Sequence, residues 1–459
     1  MRAGDLLGLP VDAAVADINI THVDIDSRTC QPGSVFFAMP GTLSHGHRYV
    51  DDAINKGAVV IVTSEPVEAS VPVILIPASE LHQAMVDASY RIVGGVEQLA
   101  LVGVTGTNGK TSVTHFVANI CRRIGVPAQA VGTLTNVRTT PAPPELARVL
   151  RSAQDDMSAP GVVALEVSSH ALDQGRVDGL QFAVGVFTNL SHDHLDYHET
   201  MDSYFAAKVR LFDPSRTQRA IINSDDEWGR RLLSIRSDAL AVSLSDLGNV
   251  EVGNSQISFM WRGHDIHAPV GGSFNVTNLH LACEAVRAMG VDENRIAEAT
   301  RSLVPVPGRF EVINTAPLVI VDFAHTPEGL DGVLSEVAQR TQGRVIVVFG
   351  CGGDRDRDKR PLMGGIATRR ATITIVTSDN PRSEDPREII REIVSGAEGD
   401  ADIRIEVDRR SAIALARDLA TSHDAVVIAG KGHEKTQETK GSVVDFDDVV
   451  VAQELFGRR

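Results

Sequence analysis

The sequence predicts an α/β protein in which short parallel strands alternate with helices. Short apolar runs recur along the chain, and many of them end in a glycine-rich or charged loop. Residues 99–102 form one such run, which leads into a glycine-rich stretch at 103–112 and then into a helical pattern. At 459 residues the chain has room for about three domains.

Residues 1–96 are predicted to form a small α/β domain. Strand patterns and one short helical pattern occur at residues 23–26, 34–39, 51–56 and 59–62. Asp26 and Arg28 stand in a polar turn, and they fit an ordinary surface turn as well as a binding loop. No catalytic signature is present here, so we expect this domain to hold part of a substrate.

Residues 97–307 are predicted to form a doubly wound α/β domain around a phosphate-binding turn. The turn consists of Gly106, Thr107, Asn108, Gly109, Lys110, Thr111 and Ser112. Its glycines let backbone N–H groups approach a phosphate, Lys110 can reach the outer phosphates, and Thr111 or Ser112 can bind Mg²⁺. Val104 occupies the first glycine position of the strict motif. We predict that a nucleoside triphosphate binds here with Mg²⁺.

Two further strands of this domain end in candidate metal ligands. Glu166 lies at the end of the apolar run 162–167, and the run 184–190 leads into a cluster of His and Asp at 191–198. The spacing of that cluster matches no zinc motif. Glu166 and one His therefore fit a magnesium site, while a Glu satisfied by a salt bridge or by backbone donors is the alternative.

Residues 308–459 are predicted to form a third α/β domain with a binding face. Four strand patterns each end in a glycine-rich or charged loop, and they lie at residues 319–321, 345–349, 373–376 and 426–429. Ligands bind at the carboxyl ends of parallel strands. Arg382 suits a carboxylate and Glu434 suits an ammonium, so together they fit an amino acid. A surface Arg382 beside Glu384 and Asp385 is the alternative.

Composition and charge exclude several classes of protein. The formal net charge of −16 argues against a nucleic-acid partner, which would require a basic surface. The four cysteines are far apart and form no metal-binding spacing, which is typical of reduced thiols in a cytoplasmic protein. Neither a signal peptide nor an apolar run of transmembrane length is present, so we expect no membrane insertion.

Longer motifs extend through nearly the whole chain, at residues 106–112, 165–172, 188–198, 204–212, 307–311, 322–327 and 430–434. In these motifs the sequence resembles the Mur ligases, the ATP-dependent amino-acid-adding enzymes of bacterial peptidoglycan synthesis. The resemblance implies three domains: a UDP-binding N-terminal domain, a central P-loop ATPase domain and a Rossmann-like C-terminal domain for the amino acid. It also implies ATP and Mg²⁺ as cofactors, an acyl-phosphate intermediate and a cytoplasmic location.

The resemblance also assigns site residues at matching positions. Around ATP it implies, besides the phosphate-binding turn, Asn278, Arg309, Asp322 and His325. Around UDP-N-acetylmuramoyl-dipeptide it implies Ile25, Ser27, Thr42, Leu43, Ser44, Thr139, Thr140, Ser168, Gln174 and Arg176. Around the metal it implies Thr111, Glu166, His194 and Lys208. The catalytic set implied is Lys110, Glu166, His194 and Lys208.

The amino-acid substrate is implied by a shorter signature. It consists of Asp379, Asn380, Pro381 and Arg382, and it resembles that of the branch that adds meso-diaminopimelate rather than L-lysine. Gly430 and Glu434 would complete the amino-acid site. L-lysine or another diamino acid is the alternative substrate, and a non-catalytic nucleotide-binding paralogue is the alternative protein.

Three positions qualify the resemblance. Lys208 matches the lysine that is carbamylated in this family, although its residue pattern alone indicates a surface lysine on a helix. His192 stands where the family usually has Arg, and Arg138 stands where Asn or a small residue is common. Both departures concern fine substrate contacts and leave the reaction class unchanged.

Overall fold

In a computed structural model, which describes residues 1–9, 11–41, 45–94, 96–135, 138–157, 160–399 and 401–457, the chain folds into α/β layers. The described residues form three mainly parallel sheets, a three-stranded antiparallel sheet and a two-stranded hairpin. The predicted α/β class is therefore confirmed.

The N-terminal region contains a small parallel sheet. Its elements are α1 (Ala3–Leu7), α2 (Ala13–Ala16), β1 (His22–Asp24), β2 (Ser34–Ala38), α3 (Val50–Asn55), β3 (Ala58–Thr63), β4 (Val73–Leu75) and α4 (Ala78–Val93). The strands lie in the order β1-β2-β3-β4. The predicted strands and helix are confirmed, but β1 ends before Asp26. That residue instead accepts a hydrogen bond from the Arg28 N–H at 3.0 Å and caps a short 3₁₀ turn.

The central region is built on six parallel strands. Its first elements are β5 (Leu99–Thr105), α5 (Lys110–Arg123), β6 (Ala128–Val131), α6 (Pro143–Asp156), β7 (Gly161–Glu166), α7 (Ser169–Asp173), β8 (Phe182–Phe187), α8 (Leu195–His198), α9 (Met201–Val209), β9 (Thr217–Asn223), α10 (Glu227–Ile235) and β10 (Leu240–Val242). The strand order is β10-β9-β8-β5-β7-β6. Val104 of β5 pairs with Glu166 of β7, so this register places the Glu166 carboxylate beside the phosphate-binding turn.

A small antiparallel sheet follows, which the sequence analysis did not predict. It comprises β11 (Gly248–Val252), β12 (Ile257–Trp261) and β13 (His264–Ala268), followed by α11 (Phe274–Ala288) and α12 (Glu293–Thr300). The alternate side chains Ile257, Phe259 and Trp261 are buried and share one apolar cluster with α11. A buried carboxylate on α11, Glu284, also accepts hydrogen bonds from the indole N–H of Trp261 at 2.9 Å and from Arg262 at 2.6 Å.

The C-terminal region carries the second six-stranded sheet. Its elements are β14 (Glu311–Thr315), β15 (Leu318–Asp322), α13 (Pro327–Arg340), β16 (Val345–Phe349), α14 (Lys359–Arg370), β17 (Ile373–Val376), α15 (Pro386–Ser395), β18 (Asp402–Ile405), α16 (Arg409–Leu419), β19 (Ala425–Ala429), β20 (Thr436–Thr439), β21 (Ser442–Asp445) and α17 (Asp448–Phe456). The order is β14-β15-β19-β16-β17-β18, with β14 alone antiparallel.

The four strands predicted to carry ligand loops, β15, β16, β17 and β19, are neighbours in this sheet, as expected. Every residue of β19 is buried, since Val427 packs in one apolar cluster and Val426 and Ile428 pack in another. Burial on both faces explains why these strands are continuous apolar runs rather than alternating ones. The loops that follow them therefore emerge along one edge. No helix among the described residues is long and apolar enough to cross a bilayer.

We expect Glu284→Gln to destabilise the fold by about 2 kcal/mol, because the buried Trp261 N–H and two arginines lose a charged acceptor. Burial alone would raise the pKa of Glu284, but hydrogen bonds from Arg262, Arg287 and Trp261 lower it below 4.5. The stabilisation is therefore present at pH 7 and is lost as pH falls through the lowered pKa.

Denaturant unfolding of both proteins at pH 7 and pH 3 checks this prediction. The difference in unfolding free energy should shrink at the lower pH. Glu251→Gln, on the exposed face of the same antiparallel sheet, is the matched control and should change little. Equal stability of wild type and Glu284→Gln at pH 7 would contradict the prediction.

Candidate active site

The phosphate-binding turn joins β5 to α5 in a conformation that requires glycine at two positions. Gly106 and Gly109 have φ values of 150° and 83°. A Cβ at Gly106 would lie 1.9 Å from the Thr188 hydroxyl oxygen, and one at Gly109 would lie 2.4 Å from the Asn278 amide oxygen. Both glycines are therefore needed for conformation and for close approach. Helix α5 begins at Lys110, so its N-terminus faces the turn.

Glu166 is a buried carboxylate beside this turn. It accepts hydrogen bonds from the Thr111 hydroxyl at 3.0 Å, the Thr133 N–H at 3.0 Å and the Thr133 hydroxyl at 3.2 Å. These contacts agree with the satisfied Glu that the sequence left as an alternative. A carboxylate offers about four acceptor sites, so one position stays available to a cation. Arg309 donates to the same Thr111 hydroxyl at 2.9 Å.

Three cationic side chains surround the turn, of which Lys208 is buried while Lys110 and Arg309 are partly buried. Lys110 donates to the carbonyl oxygens of Gly106 at 2.9 Å and Thr107 at 2.8 Å, and Lys208 donates to that of Gly106 at 2.8 Å. Burial lowers the pKa of Lys110 and of Arg309. Burial and the charge of Lys110 lower the pKa of Lys208 well below its ordinary value. The expectation of a surface lysine at 208 is thus wrong, because α9 turns that side chain inward against the phosphate-binding turn.

A cluster of His and Asp forms the next wall. His194 has a left-handed backbone, with φ of 56°, and its Nε2 lies 3.4 Å from a carboxylate oxygen of Asp193. Burial lowers the pKa of His194 to about 3, so its imidazole is neutral at pH 7 and able to bind a cation. Burial alone would raise the pKa of Asp193, but His194, His325 and Lys359 lower it to about 2.

The opposite wall comes from the carboxyl ends of the C-terminal sheet. Asn380 donates to Glu434 at 2.7 Å, and the fully buried Lys431 donates to Glu434 at 3.1 Å and to the Thr436 carbonyl oxygen at 2.7 Å. Burial and the neighbouring Asp379 raise the pKa of Glu434. A cationic ligand at this position would favour the ionised form of Glu434.

Arg382 is held by the hairpin of β20 and β21. Its N–H donates to the Glu438 carbonyl oxygen at 3.0 Å, and its own carbonyl oxygen accepts from the Lys440 N–H at 2.5 Å. One guanidinium nitrogen donates to the Gly353 carbonyl oxygen at 2.6 Å. The side chain is half-buried, and it is not the free surface arginine that the sequence left open.

These walls enclose a main cavity of about 410 Å³. The predicted site residues that line it are Thr107, Asn108, Gly109, Lys110, Thr111, Thr139, Glu166, Ser168, His194, Lys208, Arg309, His325, Asp379, Arg382, Gly430 and Glu434. A side cavity of about 420 Å³ lies next to the phosphate-binding turn. The predicted residues that line the side cavity are Asn108, Gly109, Thr111, Ser112, Asn278, Arg309 and Asp322.

Thr140, Gln174 and Arg176 form a hydrogen-bonded cluster beside the main cavity. The Thr140 hydroxyl accepts from the Ser168 N–H at 3.1 Å, and Arg176 donates to the Thr140 carbonyl oxygen at 3.0 Å and to Gln174 at 2.6 Å. Asn380 lines an adjoining cleft together with Arg382 and Glu434, and Pro381 is buried between these loops.

Ile25 and Ser27 line neither of the two cavities and lie in the N-terminal region, directly after β1. A hydrogen bond from Arg28, and further away the charge of Arg138, lower the pKa of Asp26, so the Arg138 loop faces this turn. The predicted nucleotide contacts at residues 42–44, namely Thr42, Leu43 and Ser44, lie outside the described residues.

The chain matches three family models. They are described as the Mur ligase family catalytic domain, at residues 19–93, the Mur ligase middle domain, at 104–286, and the Mur ligase glutamate ligase domain, at 308–432. A UDP-N-acetylmuramoyl-L-alanyl-D-glutamate--2,6-diaminopimelate ligase of Synechococcus elongatus is 40% identical over 468 residues, which cover 95% of this chain and 93% of that protein. The chain belongs to the Mur ligase family.

Other relatives also match this Mur ligase over nearly the whole length of both chains. Proteins of the same name from Geobacillus thermodenitrificans and Aquifex aeolicus are 40% and 38% identical, each with 95% of this chain and 94% of the relative covered. A solved structure of a ligase with that name has a TM-score of 0.67 at 30% identity and covers 99% of this chain and 98% of its own. A MurF ligase from Thermotoga maritima in complex with ADP shares the fold, with a TM-score of 0.65 at 17% identity, and covers 96% of this chain and 98% of its own.

The cavity of this Mur ligase also contains residues that sequence reasoning missed. They are Thr133, Asp193, Tyr204, Arg355, Asp356 and Lys359. Arg355 ends the glycine-rich loop after β16, and that loop was a visible signal. Asp193 belongs to the His and Asp cluster at 191–198, and Tyr204 opens the motif at 204–212, but neither was assigned a role of its own. No local pattern distinguishes Thr133, Asp356 and Lys359 from ordinary surface residues.

Two of these residues join the central and C-terminal regions. Asp356 lies 3.5 Å from the ring nitrogen of His192, and Lys359 lies 3.9 Å from Asp193. The departure at His192 from the family pattern therefore falls in a contact between two regions of the chain. Asp193, Asp356 and Lys359 line the main cavity.

We expect Lys110→Ala to weaken the binding of ATP by roughly 10- to 150-fold, because one charge-assisted hydrogen bond is worth about 1.5–3 kcal/mol. Calorimetry with a non-hydrolysable ATP analogue measures the change in Kd. Arg123→Ala, at the exposed far end of the same helix, is the control and should bind normally. An unchanged Kd in folded Lys110→Ala would rule out a phosphate contact by Lys110.

Proposed function

We propose that this chain is the ATP-dependent ligase that joins meso-diaminopimelate to UDP-N-acetylmuramoyl-L-alanyl-D-glutamate. The supporting observation is that one cavity carries both the phosphate-binding turn and the Arg382 and Glu434 loops, in a chain about 40% identical to ligases of that name over 95% of its length. The proposed domains are 1–96 for UDP, 97–307 for ATP and 308–459 for the amino acid. The proposed location is the cytoplasm.

ATP is proposed to span the two cavities. Its phosphates would lie on the turn at the N-terminus of α5, beside Lys110 and Arg309. Its nucleoside would occupy the side cavity, where Asn278 and Asp322 supply polar contacts. A Mur ligase of the same fold has been solved in complex with ADP, which supports a nucleotide ligand for this chain.

The residues around Glu166 fit Mg²⁺. Thr111 offers a hydroxyl oxygen, Glu166 offers a carboxylate with a free acceptor position, and His194 offers a neutral imidazole. Hard cations prefer oxygen ligands, so Thr111, Glu166 and water would supply most of the positions, and the imidazole nitrogen of His194 would supply at most one. When bound, Mg²⁺ would neutralise negative charge on the phosphates during transfer.

Lys208 is proposed to carry a carbamate. Burial and Lys110 lower its pKa, so the neutral amine that attacks CO₂ is available. A bond forms between the amine nitrogen and the carbon of CO₂, the nitrogen loses one proton to water, and a carboxylate results. The modification would convert a buried neutral amine into an anion beside the phosphate-binding turn, where it would offer the metal a further oxygen ligand.

The reaction follows from the arrangement of the two walls. The γ-carboxylate of the D-glutamate attacks the γ-phosphorus of ATP, which gives an acyl phosphate and ADP. The free amine of diaminopimelate then attacks the acyl carbon, phosphate leaves, and the amine proton passes to solvent. Lys110 and Arg309 stabilise charge on the transferred group, and the facing walls hold both reactants close together.

The dipeptide and the amino acid are proposed to approach from opposite sides. Thr139, Thr140, Ser168, Gln174 and Arg176 supply donors on the central wall, where the UDP-linked peptide would lie. On the C-terminal wall, Arg382 would bind the distal carboxylate of diaminopimelate, and Glu434 would bind the ammonium beside it. Arg355 lines the same wall and adds a second cation for a carboxylate.

We expect Lys208→Ala to lose nearly all ligase activity and to regain part of it with added short-chain carboxylates, because a small acid can replace the missing carbamate. Phosphate release with ATP, the UDP-dipeptide and diaminopimelate measures both effects. Arg370→Ala, at the exposed end of α14, is the control and should keep its activity without responding to added acids. Full activity of Lys208→Ala without rescue would contradict carbamylation.

We expect L-lysine to react about 30- to 5,000-fold less efficiently than meso-diaminopimelate, since it leaves Arg382 unpaired at a cost of about 2–5 kcal/mol. Arg382→Ala should reduce kcat/KM steeply for diaminopimelate and little for lysine. Arg387→Ala, an exposed arginine at the start of α15, is the matched control.

Comparable turnover of lysine by the wild type would favour the alternative diamino-acid substrate. Absence of turnover with any amino acid, in a protein that still binds ATP, would favour a non-catalytic paralogue. An equal proportional loss on both substrates in Arg382→Ala would mean that Arg382 supports its loop and does not contact the distal carboxylate.

A further inference from the structure

A buried ion pair lies directly beneath the loops of the C-terminal wall. Arg409, at the start of α16, donates two hydrogen bonds to Asp448, at the start of α17, at 2.8 and 2.7 Å. Neither side chain is exposed to solvent. A fully buried pair of this kind contributes little net stability, because the cost of desolvation offsets the attraction. The pair therefore matters more for the groups that it contacts than for its contribution to stability.

The remaining donors of Arg409 bind the ends of two strands. One nitrogen donates to the Ser378 carbonyl oxygen at 3.2 Å, and another donates to the Ala429 carbonyl oxygen at 2.9 Å. The next residues along the chain are Asp379 and Gly430, where the two site loops begin. A single planar guanidinium thus fixes the distance between the starting points of both loops.

The charge of Arg409 acts on the same loops. Burial disfavours the cation, but the pKa of Arg409 is raised by Asp448 and further by Asp379 and Glu434. The cation is thus attracted to both of these carboxylates, which lie on the two loops that it joins. Arg409 therefore acts on this part of the wall through its hydrogen bonds and also through its positive charge.

We propose that Arg409, oriented by Asp448, is a positioning residue for the amino-acid half of the site, because it holds the loops at 379–382 and 430–434 at a fixed separation. The expected change in KM for diaminopimelate rests on the proposed function, whereas the fixed separation of the two loops does not. By the same inference α17 supports the amino-acid site, since Asp448 is the first residue of that helix.

The same sheet supplies a matched control. Arg344 and Asp424 form a second ion pair, with a distance of 2.8 Å, and Arg344 also donates to the Leu419 carbonyl oxygen at 2.7 Å. This pair lies where β16 and β19 begin, whereas Arg409 lies where β19 ends. Both arginines thus join an aspartate to a backbone carbonyl oxygen, at opposite ends of one strand.

The kinetic test compares Arg409→Gln and Asp448→Asn with Arg344→Gln, using ATP, the UDP-dipeptide and meso-diaminopimelate. We expect both variants at the Arg409 pair to raise KM for diaminopimelate about 10- to 100-fold, with KM for ATP within twofold of wild type. Arg409→Lys, which keeps the charge, should recover part of the loss. Arg344→Gln should leave KM for diaminopimelate unchanged.

Hydrogen–deuterium exchange tests the structural part without any activity. In Arg409→Gln, the amides of Asp379, Asn380, Arg382 and residues 430–434 should exchange at least tenfold faster than in wild type, while in Arg344→Gln they should not. Unchanged exchange of both loops in folded Arg409→Gln, or equal acceleration in Arg344→Gln, would overturn the inference. An inactive wild type would instead contradict the proposed function. The exchange result alone would then decide whether Arg409 positions the two loops.

Discussion

Positive charge concentrated around the phosphate-binding turn is the constraint on which the rest of the site depends. Lys208 is buried and Lys110 and Arg309 are partly buried, and burial disfavours the charge of each of them. A cluster of this kind is stable only next to anions. Glu166 and Asp193 supply part of that compensation, and a polyphosphate with its metal would supply the rest. The ligand is thus a component of the electrostatic balance.

The central and the C-terminal six-stranded sheets both border this cluster of positive charge. The loops that line the main cavity follow β5, β7 and β8 on one side and β15, β16, β17 and β19 on the other. Each sheet is therefore used at its carboxyl edge, where helix N-termini and free backbone N–H groups favour anionic ligands. The contacts of Arg309 with Thr111 and of Lys359 with Asp193 join the two edges. A change in the angle between the sheets would alter the separation of the two reacting groups.

The sequence predicts local elements of this fold well and contacts between distant segments poorly. The strand 345–349 and the turn at 106–112 follow from apolar runs and glycines, because both depend on neighbouring residues alone. The burial of Lys208 depends instead on how α9 packs against a turn a hundred residues earlier in the chain. The antiparallel strands at 248–268 are short and partly exposed, so their pattern is weak. The proposed role of Lys208 came from resemblance to the family, because the periodicity of its helix indicated only a surface lysine.

The position of β19 has a consequence for the biosynthesis of the protein. It is among the last strands in the sequence, yet it lies in the interior of its sheet, between β15 and β16. Until residues 425–429 have been synthesised, β15 and β16 have no partner between them, and each presents an unpaired apolar edge. Pairing of segments so far apart in the chain is slow, because the connecting loop must close first. Chains interrupted before residue 425 would expose these edges and become substrates for chaperones and proteases.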